Sequence, residues 1–275
     1  MSLVESRDGT RIFYQCLGAE HPPGSGVLLC HPSFSSHRLW LAQEAALAAD
    51  RRTVTWDYRA HGRSEAPVDP AGYDVARVIE DLWTVHEAAL EGRPAHVGGL
   101  SFGGTLALAY ALAHPERVRT LLLFNTGPGF RKPEARARWQ DMLERSAQKL
   151  ERVGVEGYLE GRRAQAELLG LDAGAPSDPL REAILASDPS ALARFARGIA
   201  GPVPGLVDRL AEIDRPALVL VGEKDEAFQP ASWVLAQKLP RARRVEIPGA
   251  GHVVNRDSPG PFLEAVRSFL AEHDG

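Results

Sequence analysis

Short apolar runs alternate along this chain with longer segments that have the spacing of helices. Val27-Leu28-Leu29-Cys30 and Leu218-Val219-Leu220-Val221 are apolar at every position, which is typical of strands covered by helices on both faces. The alternation predicts βαβ units around a mostly parallel sheet, and hence an α/β fold. The predicted strands cover residues 11–17, 26–31, 52–57, 95–99, 118–124, 217–222 and 243–247.

The segments between these runs predict crossover helices. One helix is expected to begin after Asp74, an N-cap residue, and to continue to about Leu90. A second is expected over residues 102–113, where the chain is rich in Ala and Leu and stops before Pro115. A third, over residues 261–273, closes the chain.

Residues 131–205 interrupt the alternation, because they contain helical patterns and loops but no convincing strand. Trp139, Met142, Leu143 and Leu150 mark one candidate helix, and residues 154–169 mark another. The simplest interpretation is an insertion into a single α/β unit. We therefore expect a core domain made of residues 1–130 and 206–275, with residues 131–205 as a helical insertion.

Composition narrows the functional classes. The chain has 275 residues, 25% of them charged, and a formal net charge of -4, so it lacks the positive field that nucleic-acid binding needs. Cys16 and Cys30 form neither a disulfide framework nor a zinc-ligand spacing. No stretch approaches the roughly 18 apolar residues of a membrane span, and the N-terminus lacks the apolar region of a signal peptide. We expect a cytoplasmic monomer or homodimer that acts on a small molecule, with no nucleic-acid or membrane partner.

The clearest chemical signal is the G-x-S-x-G motif centred on Ser101. Gly99 and Gly103 flank it, and the motif falls between a predicted strand and a predicted helix, the context that gives it a mechanical meaning. A turn this sharp leaves no room for Cβ atoms two residues before and after the nucleophile, and glycine has none. Ser101 is the candidate nucleophile, and the helix beginning at Phe102 offers an N–H group and a favourable dipole.

A serine hydroxyl needs a base and, in most triads, a carboxylate that orients the base. His252 lies in a glycine-rich loop after the last predicted strand, and Asp225 follows the preceding strand. The chain order serine, acid, histidine is that of nucleophile-elbow hydrolases. The sequence thus predicts Ser101 as nucleophile, His252 as general base and Asp225, rather than Glu223 or Glu226, as the orienting acid.

These motifs resemble those of the α/β-hydrolase fold superfamily over most of the chain. The resemblance also rests on His31-Pro32-Ser33-Phe34 after the second predicted strand and on the run Asp-Tyr-Arg-Ala-His-Gly-Arg-Ser at 57–64. It points to the branch of serine esterases, enol-lactonases and carbon–carbon hydrolases with a helical cap. It implies an eight-stranded, mostly parallel sheet with helices on both faces and a cap inserted after strand 6, with a substrate pocket between cap and core.

The resemblance further implies an oxyanion hole, with one departure. The family usually has His-Gly where this chain has His31-Pro32, and proline has no N–H group. Ser33 best matches the first donor position, with Phe34 as the alternative, and the N–H of Phe102 is the second donor.

Several residues near this loop are candidates for substrate binding, although plain packing explains them equally well. The candidate substrate-binding residues are His31, Phe34, His37, Trp40 and Trp139. Asp57 and His61 are interpreted instead as a structural turn network.

The combined prediction is a serine hydrolase that cleaves a small ester or lactone through an acyl-enzyme on Ser101, without metal or organic cofactor. The alternatives are a carbon–carbon bond hydrolase of a vinylogous diketone, a lyase or synthase, and a ligand receptor on the same fold. A serine at position 101 argues against the dehalogenase and epoxide-hydrolase branches, which resemble this chain but carry an aspartate there.

Overall fold

A single eight-stranded sheet forms the centre of the computed structural model, which describes residues 2–160, 171 and 177–274. The strand order is β1-β2-β4-β3-β5-β6-β7-β8. The strands are β1 (Ser2–Glu5), β2 (Arg11–Leu17), β3 (Val27–Cys30), β4 (Thr53–Trp56), β5 (Ala95–Leu100), β6 (Val118–Phe124), β7 (Ala217–Gly222) and β8 (Ala242–Ile247).

The sheet is mostly parallel, as predicted. Of these eight strands, β2 alone runs antiparallel to its neighbours β1 and β4. Seven of the eight strands lie within one residue of the predicted ranges, whereas β1 was not predicted, because its four residues are mostly exposed and form no apolar run. After β4 the chain crosses to the other side of β3, so the carboxyl ends of β3 and β5 lie side by side. Such a reversal of strand order opens a crevice where ligands bind in open α/β sheets.

Helices cover both faces of the sheet. Asp74 caps the long helix after β4, because its carboxylate accepts a hydrogen bond from the Arg77 N–H at 2.9 Å. The C-terminal helix begins at Pro259, two residues earlier than predicted. The helices outside residues 131–205 are α1 (Leu41–Leu47), α2 (Val75–Leu90), α3 (Phe102–Ala113), α7 (Gln229–Lys238), α8 (Val254–Asp257) and α9 (Pro259–Ala271).

The chain after β6 is helical and contains no strand within residues 131–160, 171 and 177–205. Helix α4 (Pro133–Glu160) leaves helical geometry at Gly154, which has φ 69°. Helices α5 (Pro179–Leu185) and α6 (Pro189–Phe195) each begin with proline after a capping aspartate, as expected of the first helical turn. Of the helix predicted over 154–169, residues 161–169 lie outside the described residues.

The side chains of the central strands alternate between two hydrophobic clusters, one on each face of the sheet. In β6, Leu121 and Leu123 point into one cluster, while Leu122 and Phe124 point into the other. Full burial of such a side chain contributes about 1.5–3 kcal/mol, so the sheet edge that carries the loops rests on a rigid base. Among the described helices, none combines the length and apolar character needed to cross a membrane.

Candidate active site

Ser101 occupies a strained turn between β5 and α3. Its backbone has φ 57° and ψ −120°, a left-handed region that costs a non-glycine residue about 1–3 kcal/mol. A Cβ atom on Gly99 or Gly103 would collide with the Cys30 carbonyl of the neighbouring strand β3. Because the turn passes so close to β3, the glycines of the motif are needed for packing as well as for conformation.

Hydrogen bonds hold this turn in place. The Ser101 N–H donates to the Phe124 carbonyl at 3.0 Å, and the Thr126 hydroxyl donates to the Ser101 carbonyl at 2.5 Å. The polar backbone groups of the strained residue are thus paired with the last residue of β6 and with the loop that follows it. This pairing offsets the strain and fixes the side chain at the carboxyl edge of the sheet.

The imidazole of His252 and the carboxylate of Asp225 are hydrogen-bonded. The distance from His252 Nδ1 to Asp225 Oδ2 is 2.8 Å, and both side chains are at most 10% exposed. Because the carboxylate can only accept, Nδ1 carries the proton and Nε2 keeps a free lone pair. The ring of Phe228 stacks on His252 with centroids 5.0 Å apart. The imidazole is therefore oriented by both the Asp225 carboxylate and the Phe228 ring.

Asn125 completes this group and was not predicted from the sequence. Its Nδ2 donates to Asp225 Oδ2 at 2.6 Å and to the Gly251 carbonyl at 2.9 Å, and its Oδ1 accepts from the Gly222 N–H at 3.1 Å. The side chain therefore ties together the loops after β6, β7 and β8. Its position directly after an apolar strand was the available sequence signal.

Neighbouring strands place these residues along one edge. Ser101 follows β5, Asn125 follows β6, Asp225 follows β7 and His252 follows β8, and these four strands are parallel neighbours in that order. Within the described part of the chain, the Ser101 hydroxyl makes no hydrogen bond, so the acid–histidine pair and the serine share an edge without a hydrogen bond between them.

The loop after β3 lies next to Ser101. Phe34 has φ 62°, and its N–H donates to His61 Nε2 at 3.1 Å. By contrast, the N–H groups of Ser33 and Phe102 have no hydrogen-bond acceptor among the described residues. Of the two donors considered for this loop, Ser33 is free to bind a ligand and Phe34 is occupied.

Two buried imidazoles line this loop in their neutral form. Burial lowers the pKa of His61 to about 4 and that of His31 to about 3, because a charged ring would lose its hydration. His31 Nδ1 lies 2.7 Å from the Pro32 carbonyl, to which it donates, and its Nε2 accepts from the Tyr58 N–H at 3.3 Å. Both rings are thus uncharged at neutral pH and have fixed tautomers.

His37 belongs to a structural network around Asp57. Its ring Nδ1 lies 2.8 Å from Asp57 Oδ2, and the carboxylate also accepts from the His37 and Arg63 N–H groups at 2.7 and 2.9 Å. Burial would raise the pKa of Asp57, but hydrogen bonds and charge from His37 bring it below the ordinary value. The carboxylate therefore remains ionised and fixes the loop after β4.

The other candidate substrate-binding residues differ in their surroundings. Trp40 is fully buried and packs on Phe124 and Phe262, with centroids 6.0 and 6.3 Å away. Trp139 donates its Nε1–H to the Ala200 carbonyl at 2.7 Å. The contacts described for His37, Trp40 and Trp139 are structural. None of these contacts involves Ser101, Asp225 or His252.

Phe195, at the end of α6, joins the helical segment to the loops of this edge. Its ring centroid lies 4.4 Å from that of His61, 5.6 Å from Phe102 and 6.4 Å from Phe34. The residue is fully buried. Residues 189–195 therefore cover the loops after β3 and β4 and the start of α3.

A separate cavity of about 300 Å³ lies beside α8 and α5 and includes none of Ser101, Asp225 and His252. It contains an ion pair between Arg256 and Asp178, 2.7 Å apart, which joins the helix after His252 to the cap of α5. Within residues 2–160, 171 and 177–274, no three His, Cys, Asp or Glu side chains are grouped to hold a metal ion.

Comparison with known proteins adds a family and several named relatives. The profile of the alpha/beta hydrolase fold matches residues 26–259. A protein of Bacillus subtilis named putative 2-succinyl-6-hydroxy-2,4-cyclohexadiene-1-carboxylate synthase is 30% identical over 96% of each chain. A putative carbamate hydrolase of Azorhizobium caulinodans is 29% identical, again over 96% of each chain.

Solved structures show the same architecture. The enol-lactonase of Burkholderia xenovorans LB400 superposes with a TM-score of 0.79 at 25% identity, and the match covers 98% of this chain and all of that one. The fold of this chain is therefore shared with a protein named as an enol-lactonase.

Proposed function

The chain belongs to the α/β hydrolase fold family, and from this premise we propose that it is a serine hydrolase with Ser101 as its nucleophile. One observation carries the proposal: a serine in a strained turn lies at the sheet edge that also holds a hydrogen-bonded histidine and carboxylate. Strained backbone angles of this kind occur where a turn must expose a reactive side chain, as in the nucleophile elbow.

In the proposed reaction, His252 Nε2 takes the Ser101 proton as the hydroxyl oxygen attacks an acyl carbonyl. Asp225 holds the imidazole in the tautomer that leaves Nε2 free, and it stabilises the imidazolium that forms. Catalytic hydrogen bonds are often long without substrate and tighten when it binds, which accommodates the unpaired Ser101 hydroxyl.

The tetrahedral oxyanion would be bound by the backbone N–H groups of Ser33 and Phe102. These two groups have no acceptor among the described residues, and Phe102 lies at the N-terminus of α3, where the helix dipole favours negative charge. The oxyanion collapses to an acyl-enzyme as the leaving group departs with the proton from His252. Water then repeats the sequence and releases the acid, so no metal or organic cofactor enters any step.

The proposed substrate is a small ester or lactone. The lactonase structure and the carbamate hydrolase relative carry names that refer to acyl compounds, and acyl transfer is what the geometry around Ser101 suits. Cleavage of a carbon–carbon bond or a synthase reaction at the same serine is the second candidate, because the Bacillus subtilis relative at 30% identity is named a synthase.

Fluorophosphonate labelling followed by mass spectrometry tests the nucleophile. We expect one adduct, on Ser101, and p-nitrophenyl acetate hydrolysis that falls by about 10⁴-fold or more in Ser101→Ala. Ser25→Ala is the matched control, since Ser25 is a loop serine whose hydroxyl bonds the Pro22 carbonyl, and it should retain full turnover.

A panel of p-nitrophenyl esters, lactones and vinylogous diketones then separates the two candidate reactions by their products. Full ester turnover in Ser101→Ala, or an adduct on another residue, would remove the proposed nucleophile. Turnover of the diketones alone would replace the ester proposal with carbon–carbon cleavage.

A further inference from the structure

The backbone around Ser33 is held by two side chains that play no part in the proposed chemistry. Ser33 is flanked by two planar peptide groups, the 32–33 peptide and the 33–34 peptide. The first carries the Ser33 N–H, and each plane has one polar atom bonded to a buried imidazole. Because a peptide is planar, fixing one polar atom constrains the direction of the others in the same plane.

His31 holds the first plane. Its Nδ1–H donates to the Pro32 carbonyl at 2.7 Å. In a trans peptide the carbonyl and the N–H point in opposite directions, so the Ser33 N–H points away from the His31 ring. The proline at position 32 stiffens this plane further, since its ring fixes φ.

His61 holds the second plane. Its Nδ1 lies 3.1 Å from the Arg59 carbonyl, to which it donates, and its Nε2 accepts the Phe34 N–H at 3.1 Å. An accepting Nε2 requires a neutral ring with the proton on Nδ1, and both hydrogen bonds agree with that tautomer. The bond also occupies the Phe34 N–H, which would otherwise compete with the Ser33 N–H for an oxyanion.

The conformation that His61 maintains is a strained one. Phe34 has φ 62°, which costs a bulky residue about 1–2 kcal/mol. Phe195 packs against both Phe34 and His61, at 6.4 and 4.4 Å between centroids. A strained residue persists only where its surroundings over-determine it, and here a hydrogen bond and a buried aromatic contact do so together.

We propose that His61 is a positioning residue of the oxyanion hole: by accepting the N–H of Phe34 it holds the peptide on the C-terminal side of Ser33, while His31 holds the peptide that carries the Ser33 N–H, so that Ser33 is fixed from both sides. The inference rests on the proposed function. It predicts that His61 affects the rate of the proposed reaction, whereas the sequence suggested only a structural turn network for this histidine.

A pair of substitutions separates the two hydrogen bonds of the ring. His61→Gln places an amide oxygen near Nε2 and keeps an acceptor for Phe34, whereas His61→Asn places an amide nitrogen near Nδ1 and keeps only the donor to Arg59. We expect kcat for p-nitrophenyl acetate to fall by about 10- to 100-fold in His61→Asn with little change in KM, because a donor displaced by about 1 Å loses about this much. His61→Gln should recover most of the loss at a similar Tm.

His86→Asn is the matched control. His86 is a buried imidazole of α2 that bonds the Arg93 carbonyl at 2.8 Å and the Tyr110 hydroxyl at 3.1 Å, and neither partner is assigned to the reaction. It should lower Tm and leave kcat unchanged. Equal kcat in His61→Gln and His61→Asn, or a wild-type kcat in His61→Asn, would overturn the positioning role.

A measurement on the unsubstituted protein covers the case in which the variants fold poorly. We expect a scalar coupling across the hydrogen bond between the Phe34 and His61 Nε2 nitrogens, and a downfield shift of the Ser33 amide in the Ser101 phosphonate adduct. A shift of the Phe34 amide with loss of the coupling contradicts the inference. Failure to form any Ser101 adduct removes the proposed function itself, whereas an adduct with unaffected His61 variants removes only this inference.

Discussion

The two sides of Ser101 are built differently. On one side, Asn125, Asp225 and His252 form a small polar group in the loops after β6, β7 and β8, and the Asp225 carboxyl group is hydrogen-bonded to a partly exposed ring. On the other side, the loops after β3 and β4 are fixed by buried neutral imidazoles and by aromatic packing from α6.

The difference follows from what each side is proposed to do. A group that moves a proton must keep a titratable ring and some freedom, whereas an oxyanion hole works through donors that do not reorganise. We therefore expect substitutions on the acid–histidine side to lower activity more than stability, and substitutions on the oxyanion side to lower stability strongly.

The largest expected effect is on the acid–histidine side. Asp225→Asn should lower kcat by about 10⁴-fold with little change in Tm, because the amide favours the wrong tautomer of His252. Steady-state kinetics and thermal unfolding measure the two quantities. Glu223→Gln is the control, since the Glu223 carboxylate accepts only the exposed Gly249 N–H, at 2.7 Å, among the described residues; a comparable loss in this variant would show that the acid has been assigned to the wrong residue.

The next effect is on the oxyanion side. Phe195→Ala should reduce the free energy of unfolding by about 3–5 kcal/mol, because it removes a fully buried ring that packs on His61, Phe102 and Phe34. Phe228→Ala removes the ring that stacks on His252. Because the Phe228 side chain is only partly buried, this substitution should reduce the free energy of unfolding by less. Urea unfolding of both variants gives the comparison, which fails if Phe228→Ala is the more destabilised.

A smaller loss of activity is expected from the residue that links the loops. Asn125→Asp replaces the donor to Asp225 Oδ2, at 2.6 Å, by a second acceptor. Loss of a hydrogen bond to a charged group is worth about 1.5–3 kcal/mol, or roughly 10- to 100-fold in kcat. Initial rates at pH 8 measure it, and an unchanged kcat would show that Asn125 only stabilises the fold.

The difference in the pH dependence of stability between the wild type and His61→Gln probes the oxyanion side, because burial also lowers the pKa of His86 and His96 elsewhere in the fold. Burial lowers the pKa of His61 from the ordinary value of 6.5 to about 4 in the folded protein. Between pH 6.5 and pH 4 the unfolded chain therefore binds more protons than the folded protein, and the free energy of unfolding decreases as pH falls. At pH 5 the loss from this one ring is about 2 kcal/mol. Urea unfolding at pH 7 and pH 5 should show this slope in the wild type and a shallower one in His61→Gln; equal slopes would mean that His61 is not buried as a neutral ring.

Much of the fold could be read from local patterns. The apolar runs predicted seven of the eight strands, and β1 escaped because an exposed edge strand of four residues has no apolar run. The helical pattern of residues 131–205 indicated an insertion, and the family resemblance supplied the strand count and placed the insertion after strand 6. The helix at Asp74 was predicted because a cap acts within a few residues.

The residues of the candidate site divide in the same way. Ser101, Asp225 and His252 carry local signals, namely glycines, strand ends and chain order. For Asn125 the available local signal is only its position directly after an apolar strand, and the accepting Nε2 of His61 carries none, because their roles depend on partners 100 and 27 residues away in the chain. His37 and Trp40, proposed near the pocket, prove to be held by Asp57 and by core rings.

The sequence by itself determined the strands, the elbow at Ser101 and the chain order of the acid and histidine, since each depends on steric and hydrophobic preferences of neighbouring residues. Only the tertiary structure decided that Phe34 gives its N–H to His61, that Ser33 keeps its own free, and that Phe195 closes over both. Those outcomes depend on burial and on contacts between distant segments, which no local pattern encodes.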